Sequence, residues 1–246
     1  MIPGGNVDFN QLTTERLFAV YAYMKAKQKT NVFHMENDNM LYYDLVTLMH
    51  RMHRCRVNLG FSRASSFQAV LSFLYVRNAA ILEHFLRYTI EVFRLGRSKA
   101  MSYLQTKWIN DMTIASRYLD LFASTSEQSR LSGIFQLPIE FHSGNCCICI
   151  NSNEKEVIVF DARSLGQYFA GDYWHPNVSF WIKSDLVDPR GELLTWVRKN
   201  KGLLVPYIRG KRIVQLHVHS KNLQQFSSRS NNQPTGTGYN FTLLGD

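Results

Sequence analysis

The sequence predicts an α+β fold, with an N-terminal helical half packed on a C-terminal strand-rich half, and three observations predict it. Apolar residues recur at three and four places from Gln11 to about Ala123, the period of a helix with one buried face. Proline is absent between Pro3 and Pro138, so nothing in that span removes a helical N–H or clashes with a preceding turn. After Pro138 the apolar runs shorten and fill with β-branched and aromatic residues, which suit strands. The change divides the chain into a helical region, 1–135, and a strand-rich mixed α/β region, 136–246, read as one packed unit.

Each element has a local reason. Asp8 and Gln11 have the spacing of a capping box, and Leu17, Val20, Tyr21 and Met24 then share one face of a first helix. That helix ends in Lys25, Lys27 and Lys29, cations that suit the negative end of its dipole. Asp38 is the expected cap of a second helix, with Leu41, Leu45, Leu48, Met49 and Met52 as its buried stripe, closing near Gly60. Ser65-Ser66-Phe67-Gln68 opens a third, central helix that runs to Leu95 and stops at Gly96. Its apolar stretches, Ala69 to Val76 and Ala79 to Leu82, require other helices around it. A fourth helical region covers Ser98 to Ala123.

Downstream, strands are expected at Cys146 to Ile150, Glu156 to Phe160, Val178 to Ile182, Leu203 to Ile208, Ile213 to His219 and Tyr239 to Leu243. Asn151-Ser152-Asn153-Glu154 has the composition of the turn joining the first two. Short helices fit Ser164 to Phe169 and Glu192 to Lys199. Gln224 to Gly238, rich in Ser, Asn, Gln, Thr and Gly, orders only where something ties it down.

Composition excludes several classes. With 45% apolar, 13% aromatic and 19% charged residues among 246, the chain can bury a core and is not a disordered one. Met1 to Asn10 lacks the cationic start and apolar run of a signal peptide, which predicts an intracellular protein, cytoplasmic or nuclear. The longest charge-free stretch near the apolar centre, Ala64 to Val76, falls short of the roughly 20 residues that cross a bilayer, so no transmembrane segment is expected. Cys55, Cys146, Cys147 and Cys149 are too few and too clustered for a disulfide framework.

Charge is the strongest functional signal. The chain has 28 Lys and Arg against 19 Asp and Glu, and most of the cations are Arg, whose planar fork matches phosphate and carboxylate. Two segments hold the excess. In the first, Arg51, Arg54, Arg56, Arg63, Arg77, Arg87, Arg94, Arg97 and Lys99 are offset by Glu83 and Glu91 alone. In the second, Arg198, Lys199, Lys201, Arg209, Lys211, Arg212, Lys221 and Arg229 meet no acid until Asp246. The second is the favoured anion-facing surface, for RNA or DNA phosphates or for acidic patches on neighbouring subunits, with Arg51, Arg54, Arg94 and Arg97 as a further contact.

Enzyme signatures are missing. There is no dinucleotide, P-loop, zinc-protease, nucleophile-elbow or EF-hand motif, so no catalytic residue is assigned and no cofactor is expected. Cys146, Cys147, Cys149, His142, His217 and His219 form the one tempting metal constellation, but their spacing is not that of a zinc module and they read as an apolar strand with its neighbours. His50 and His53 sit beside Arg51 and Arg54, which disfavour a cation; His84 and His175 read as packing or turn residues.

The aromatic surplus, above all Tyr173, Trp174, Trp181, Trp196 and Tyr207, has the composition of an interface. The expected function is therefore a non-enzymatic structural protein that self-associates into a homo-oligomeric assembly, of the matrix, capsid or occlusion type found in viruses. The alternatives are a basic nucleic-acid-binding protein and a metal-dependent or acid/base enzyme.

Overall fold

The computed structural model describes residues 7–123, 133–139, 156–169, 187–189, 191–199, 203–218 and 223–229. Their class is α+β, with the helices mainly in the N-terminal half. In chain order the elements are α1 (Val7–Ala26), β1 (Val32–Met35), β2 (Asn39–Leu41), α2 (Leu45–Arg54), β3 (Leu59–Ser65), β4 (Gln68–Val76), α3 (Ala79–Arg94), α4 (Arg97–Leu104), α5 (Asp111–Phe122), β5 (Ile134–Leu137), β6 (Ile158–Val159), α6 (Ser164–Phe169), β7 (Leu194–Arg198), β8 (Leu204–Ile208), β9 (Lys211–Ile213) and β10 (Gln215–His217), followed by a 3-10 turn, Leu223–Phe226.

The chain divides into two compact units. Unit 1 comprises 1–35 and 52–136, and unit 2 comprises 36–51 and 137–246. In unit 1 a four-stranded sheet runs in the order β1-β4-β3-β5. The central helix expected over 66–95 is thus two elements: β4, in an antiparallel hairpin with β3, and then α3. Every residue of β4 is buried, and an apolar run with no polar face suits a doubly covered strand as well as a helix.

A bulge hides the strand's alternation further. Between Phe61 and Ser62 the β3–β4 register shifts, the partner jumping from Leu74 to Val70, so the helix-facing set changes from Ala69 and Leu71 to Leu74 and Val76, because an odd number of extra residues, here three, inverts the parity of a strand. The opposite face carries Phe73 and Tyr75, whose rings lie 5.9 and 5.0 Å from that of Phe33.

On the first face lie Leu17 and Met24 of α1, Leu82, Phe85 and Leu86 of α3, and Ala115, Tyr118 and Leu119 of α5. Phe85 packs edge-on against Tyr118 at 4.9 Å, within the range where aromatic pairs add to simple burial.

Three further expectations are corrected. The region 98–123 is two helices: α4 ends on Gln105 in the left-handed conformation, and α5 starts at the Asn110–Thr113 capping box. Asp38 does not cap the second helix; Asp44 does, accepting from the Thr47 N–H at 2.7 Å, because residues 39–41 are taken by β2. The short helix expected at Glu192 to Lys199 is strand β7, whose pairing with β8 overrides the helical spacing. The expected strands at 146–150, 178–182 and 239–243 lie outside the described residues.

Unit 2 contains a mixed sheet in the order β6-β9-β8-β7 and an antiparallel pair, β10 with β2. The β8–β9 hairpin turns on Arg209 and Gly210, at φ +47 and +75°, the backbone that matches strand twist in a two-residue loop. Helix α6 spans the residues expected of it. Its first turn is held by buried Asp161, whose Oδ1 accepts from the Leu165 N–H and whose Oδ2 accepts from those of Gly166 and His217, at 2.7–2.9 Å. A Cβ at residue 166 would stand 2.1 Å from the His217 carbonyl oxygen, so glycine alone permits this approach.

Candidate functional site

Three connections emerge at one end of the unit 1 sheet: the α1–β1 link, the α2–β3 link and the β4–α3 link. Val32 and Leu59 both pair with Val76, so the residues just outside them lie side by side, about 5 Å apart per row. Main-chain hydrogen bonds continue the alignment beyond the strands. The Asn31 N–H donates to Arg77 O at 2.8 Å, the Arg77 N–H to Asn58 O at 2.8 Å, and the Asn58 N–H to Gly133 O at 2.6 Å.

Arg77 lies in these rows, and the segments that lead into them carry Lys27 and Lys29 after α1 and Arg54 and Arg56 at the end of α2, with His53 beside them; none of the stretches 27–31, 54–58 and 77–78 contains an Asp or Glu. Lys27, Lys29, Arg54 and Arg56 are exposed and Arg77 is half-buried.

The connections are shaped tightly. Gln28, Asn31, Arg56 and Gly133 all have positive φ, from +49 to +66°, which costs non-glycine residues energy and persists where the surroundings enforce it. Asn31 is the fastening: its Oδ1 accepts from Tyr75 Oη at 2.8 Å and from His53 Nε2 at 2.5 Å. Burial pushes the Tyr75 hydroxyl up to about 12, so it stays a donor. At residue 133 a Cβ would meet Asn58 Nδ2 at 2.3 Å and Arg56 O at 2.6 Å; only glycine lets the fourth row close against the third.

Charge is divided unequally between the units. Unit 1 has 15 Lys and Arg against 7 Asp and Glu, and unit 2 has 13 against 12.

The favoured basic stretch of the sequence falls in unit 2, and its central cations are held internally. Arg209 grips Glu192 with Nε at 2.8 Å and Nη2 at 2.7 Å. Arg212 reaches Glu156 at 3.1 Å and the Tyr42 carbonyl at 2.8 Å, with its guanidinium 4.4 Å from the Tyr43 ring centre. Lys199 lies 4.0 Å from Glu156 and over Tyr207, whose hydroxyl donates to Glu156 at 2.7 Å. Arg198 is exposed and Lys211 half-buried; Lys201 and Lys221 lie outside the described residues.

Of the further contacts, Arg51 is buried and donates to the Glu156 carbonyl at 3.3 Å. Arg94 pairs with Glu91 at 2.6 Å. Arg54 belongs to the basic end of the sheet, and Arg97 is exposed at the start of α4. Among the interface candidates, Trp196 packs edge-on against Tyr42 at 5.7 Å, while Tyr173, Trp174 and Trp181 lie outside the described residues.

Of the metal constellation of the sequence, only His217 lies among the described residues. The constellation's cysteines, His142 and His219 lie outside them, and the His217 imidazole faces Asp38 and Glu36, with Nε2 at 3.2 and 3.5 Å. Burial disfavours its charged form, but the three carboxylates of Asp38, Glu36 and Asp161 outweigh burial and raise its pKa. His84 packs as expected, its Nδ1 2.7 Å from Tyr118 Oη and its ring edge-on to Phe122.

Lys27 and Lys29 read in sequence only as a helix's last turn and its sequel; the signal that marks them, cations on links with no Asp or Glu of their own, exists only once three distant links are aligned. No family model, curated protein or solved structure matches this chain. No helix among the described residues is long and apolar enough to cross a membrane.

Proposed function

We propose that the protein binds nucleic acid through the phosphate backbone, at the basic end of the unit 1 sheet. The observation that carries this reading is the convergence of Lys27, Lys29, Arg54, Arg56 and Arg77 on three aligned links that hold no acidic residue. Such a set neutralises phosphates and releases their counterions, a sequence-independent source of affinity. Three of the five are Arg, which grips phosphate oxygens in pairs, and the enforced backbone of the links presents them without a large ordering cost. Fluorescence anisotropy with labelled RNA and DNA oligonucleotides over a salt series tests it. The expected result is binding that weakens linearly in log–log form and differs little between sequences. An absence of binding at low salt overturns the reading.

Self-association, the first expectation from the sequence, has support from a different surface. Phe93, Leu95 and Trp108 are exposed beside a cleft of about 220 Å³ lined by Phe93, Ala100, Met101 and Ile109 together with the cations Arg97 and Lys107, and exposed apolar side chains grouped in this way are the kind of surface that a protein partner covers. Sedimentation of the wild type against Phe93→Glu tests it: an oligomer that the substitution dissociates supports the reading, and a monomeric wild type ends it.

A further inference from the structure

The pairing of β2 with β10 assembles a second site, in unit 2. Asn39 stands opposite His217 in the register, the Val218 N–H donates to the Asp38 carbonyl at 2.8 Å, and the Asn39 N–H closes a turn onto Glu36 O at 3.2 Å. Glu36, Asp38 and His217 each thereby offer one ligand atom, all within 4.8 Å of one another. The distances from His217 Nε2, 3.2 Å to Asp38 Oδ1 and 3.5 Å to Glu36 Oε2, bear on what this cluster holds. Zinc binds imidazole nitrogen and carboxylate oxygen at about 2.0 to 2.1 Å, so a tetrahedral ion spaces those atoms about 3.3 to 3.4 Å apart. The two observed separations bracket that edge length.

We propose that Glu36, Asp38 and His217 form a Zn²⁺ site of one imidazole and two carboxylates, completed by a water molecule. Three protein ligands and an open fourth position are the pattern of zinc sites that exchange a ligand. The His217 and Asp38 side chains are only 8 and 12% exposed, whereas Glu36 is 24% exposed, which gives the ion and its water a path on the Glu36 side. The ligands are supported from behind: Asp161 Oδ2 accepts the His217 main-chain N–H at 2.9 Å, and Gly166 closes against the His217 carbonyl. Both contacts hold the main chain from which the imidazole projects. Two carboxylates around one imidazole also leave net negative charge, which a dication offsets and a protonated imidazole alone does not.

The test uses the whole chain, freed of metal with a chelator and titrated with Co²⁺. The expected outcome is visible d–d absorption of a four-coordinate ion, one equivalent at saturation, displaced by Zn²⁺, together with a higher thermal midpoint in Zn²⁺. Asp38→Asn and His217→Gln, each checked for native circular dichroism, lose at least tenfold in affinity. Folded wild-type protein that gains neither absorption nor midpoint overturns the proposal. So does a strong near-ultraviolet thiolate band, which would put the ion on cysteine, or unchanged affinity in both variants. This outcome is independent of nucleic-acid binding, which rests on residues of unit 1.

Discussion

Neutralising the exposed cations at the basic end of the sheet gives a prediction with a calculable size. In the triple variant Lys27→Gln, Lys29→Gln, Arg56→Gln, side-chain length is nearly kept while three charges vanish from links that contain no acid. Each phosphate contact contributes about 0.7 to the slope of log K against log salt for single strands and about 0.9 for duplex DNA. Three lost contacts therefore flatten the slope by about 2.1 or 2.7. Taking about 1 M salt as the point where the release contribution vanishes, the variant binds single strands about 50-fold more weakly at about 0.15 M and about 12-fold more weakly at about 0.3 M. Anisotropy titrations at four or more salt concentrations measure both quantities, and circular dichroism confirms the fold. A slope equal to that of the wild type refutes the reasoning, because affinity lost without a change in slope comes from damage to the surface and not from phosphate contacts. The control, Arg209→Gln with Arg212→Gln, removes cations already engaged by Glu192 and Glu156 and leaves the slope within about half a unit of wild type.

Other consequences are open to measurement. Gly133→Ala places a Cβ 2.3 Å from Asn58 Nδ2 at a φ of +66°, and denaturant unfolding is expected to show a loss of about 2 kcal/mol or more; an unchanged midpoint contradicts the description of the fourth row. Phe85→Ala empties a fully enclosed site beside Phe61 and Tyr118 and should cost about 3 to 5 kcal/mol in the same assay. Asp161→Ala leaves the buried N–H groups of Leu165, Gly166 and His217 without their acceptor, at about 1 to 3 kcal/mol each; a loss below 1 kcal/mol in total would show that water replaces the carboxylate. Asp44 has a lowered pKa because the Thr47 N–H and hydroxyl bond its carboxylate. The stabilisation from its charge is thus present above the ordinary carboxylate range and disappears as pH falls through the lower folded value. Asp44→Asn, which still caps, should keep neutral-pH stability and give a shallower acid limb in thermal melts.

The α+β class, the first helix and α6 were legible in the sequence because periodicity and caps are local: Leu17 and Met24 lie on the face that packs, and Ser164–Phe169 is helical. The identity of β4 was not legible. A run from Gln68 to Val76 that is buried throughout has no polar face by which to tell a period of two from one of 3.6, and the bulge beside it inverts the parity midway. The fate of individual charges was equally hidden. The lack of a compensating acid along the chain made 198–229 the favoured anion-facing surface, yet Glu156 and Glu192, the first of them more than 40 residues upstream of Lys199, engage its Lys199, Arg209 and Arg212.

What the sequence determined by itself is how much apolar surface and how much charge the chain has, since composition needs no partner. What the tertiary structure alone decided is which charges meet. Strand register brought the links that carry Lys29, Arg77 and Arg56 to one end of the sheet and carried Asp38 to His217 across most of the chain. Electrostatic and coordination energies depend on separations of a few ångströms, and spacing along a sequence does not encode such separations between distant segments.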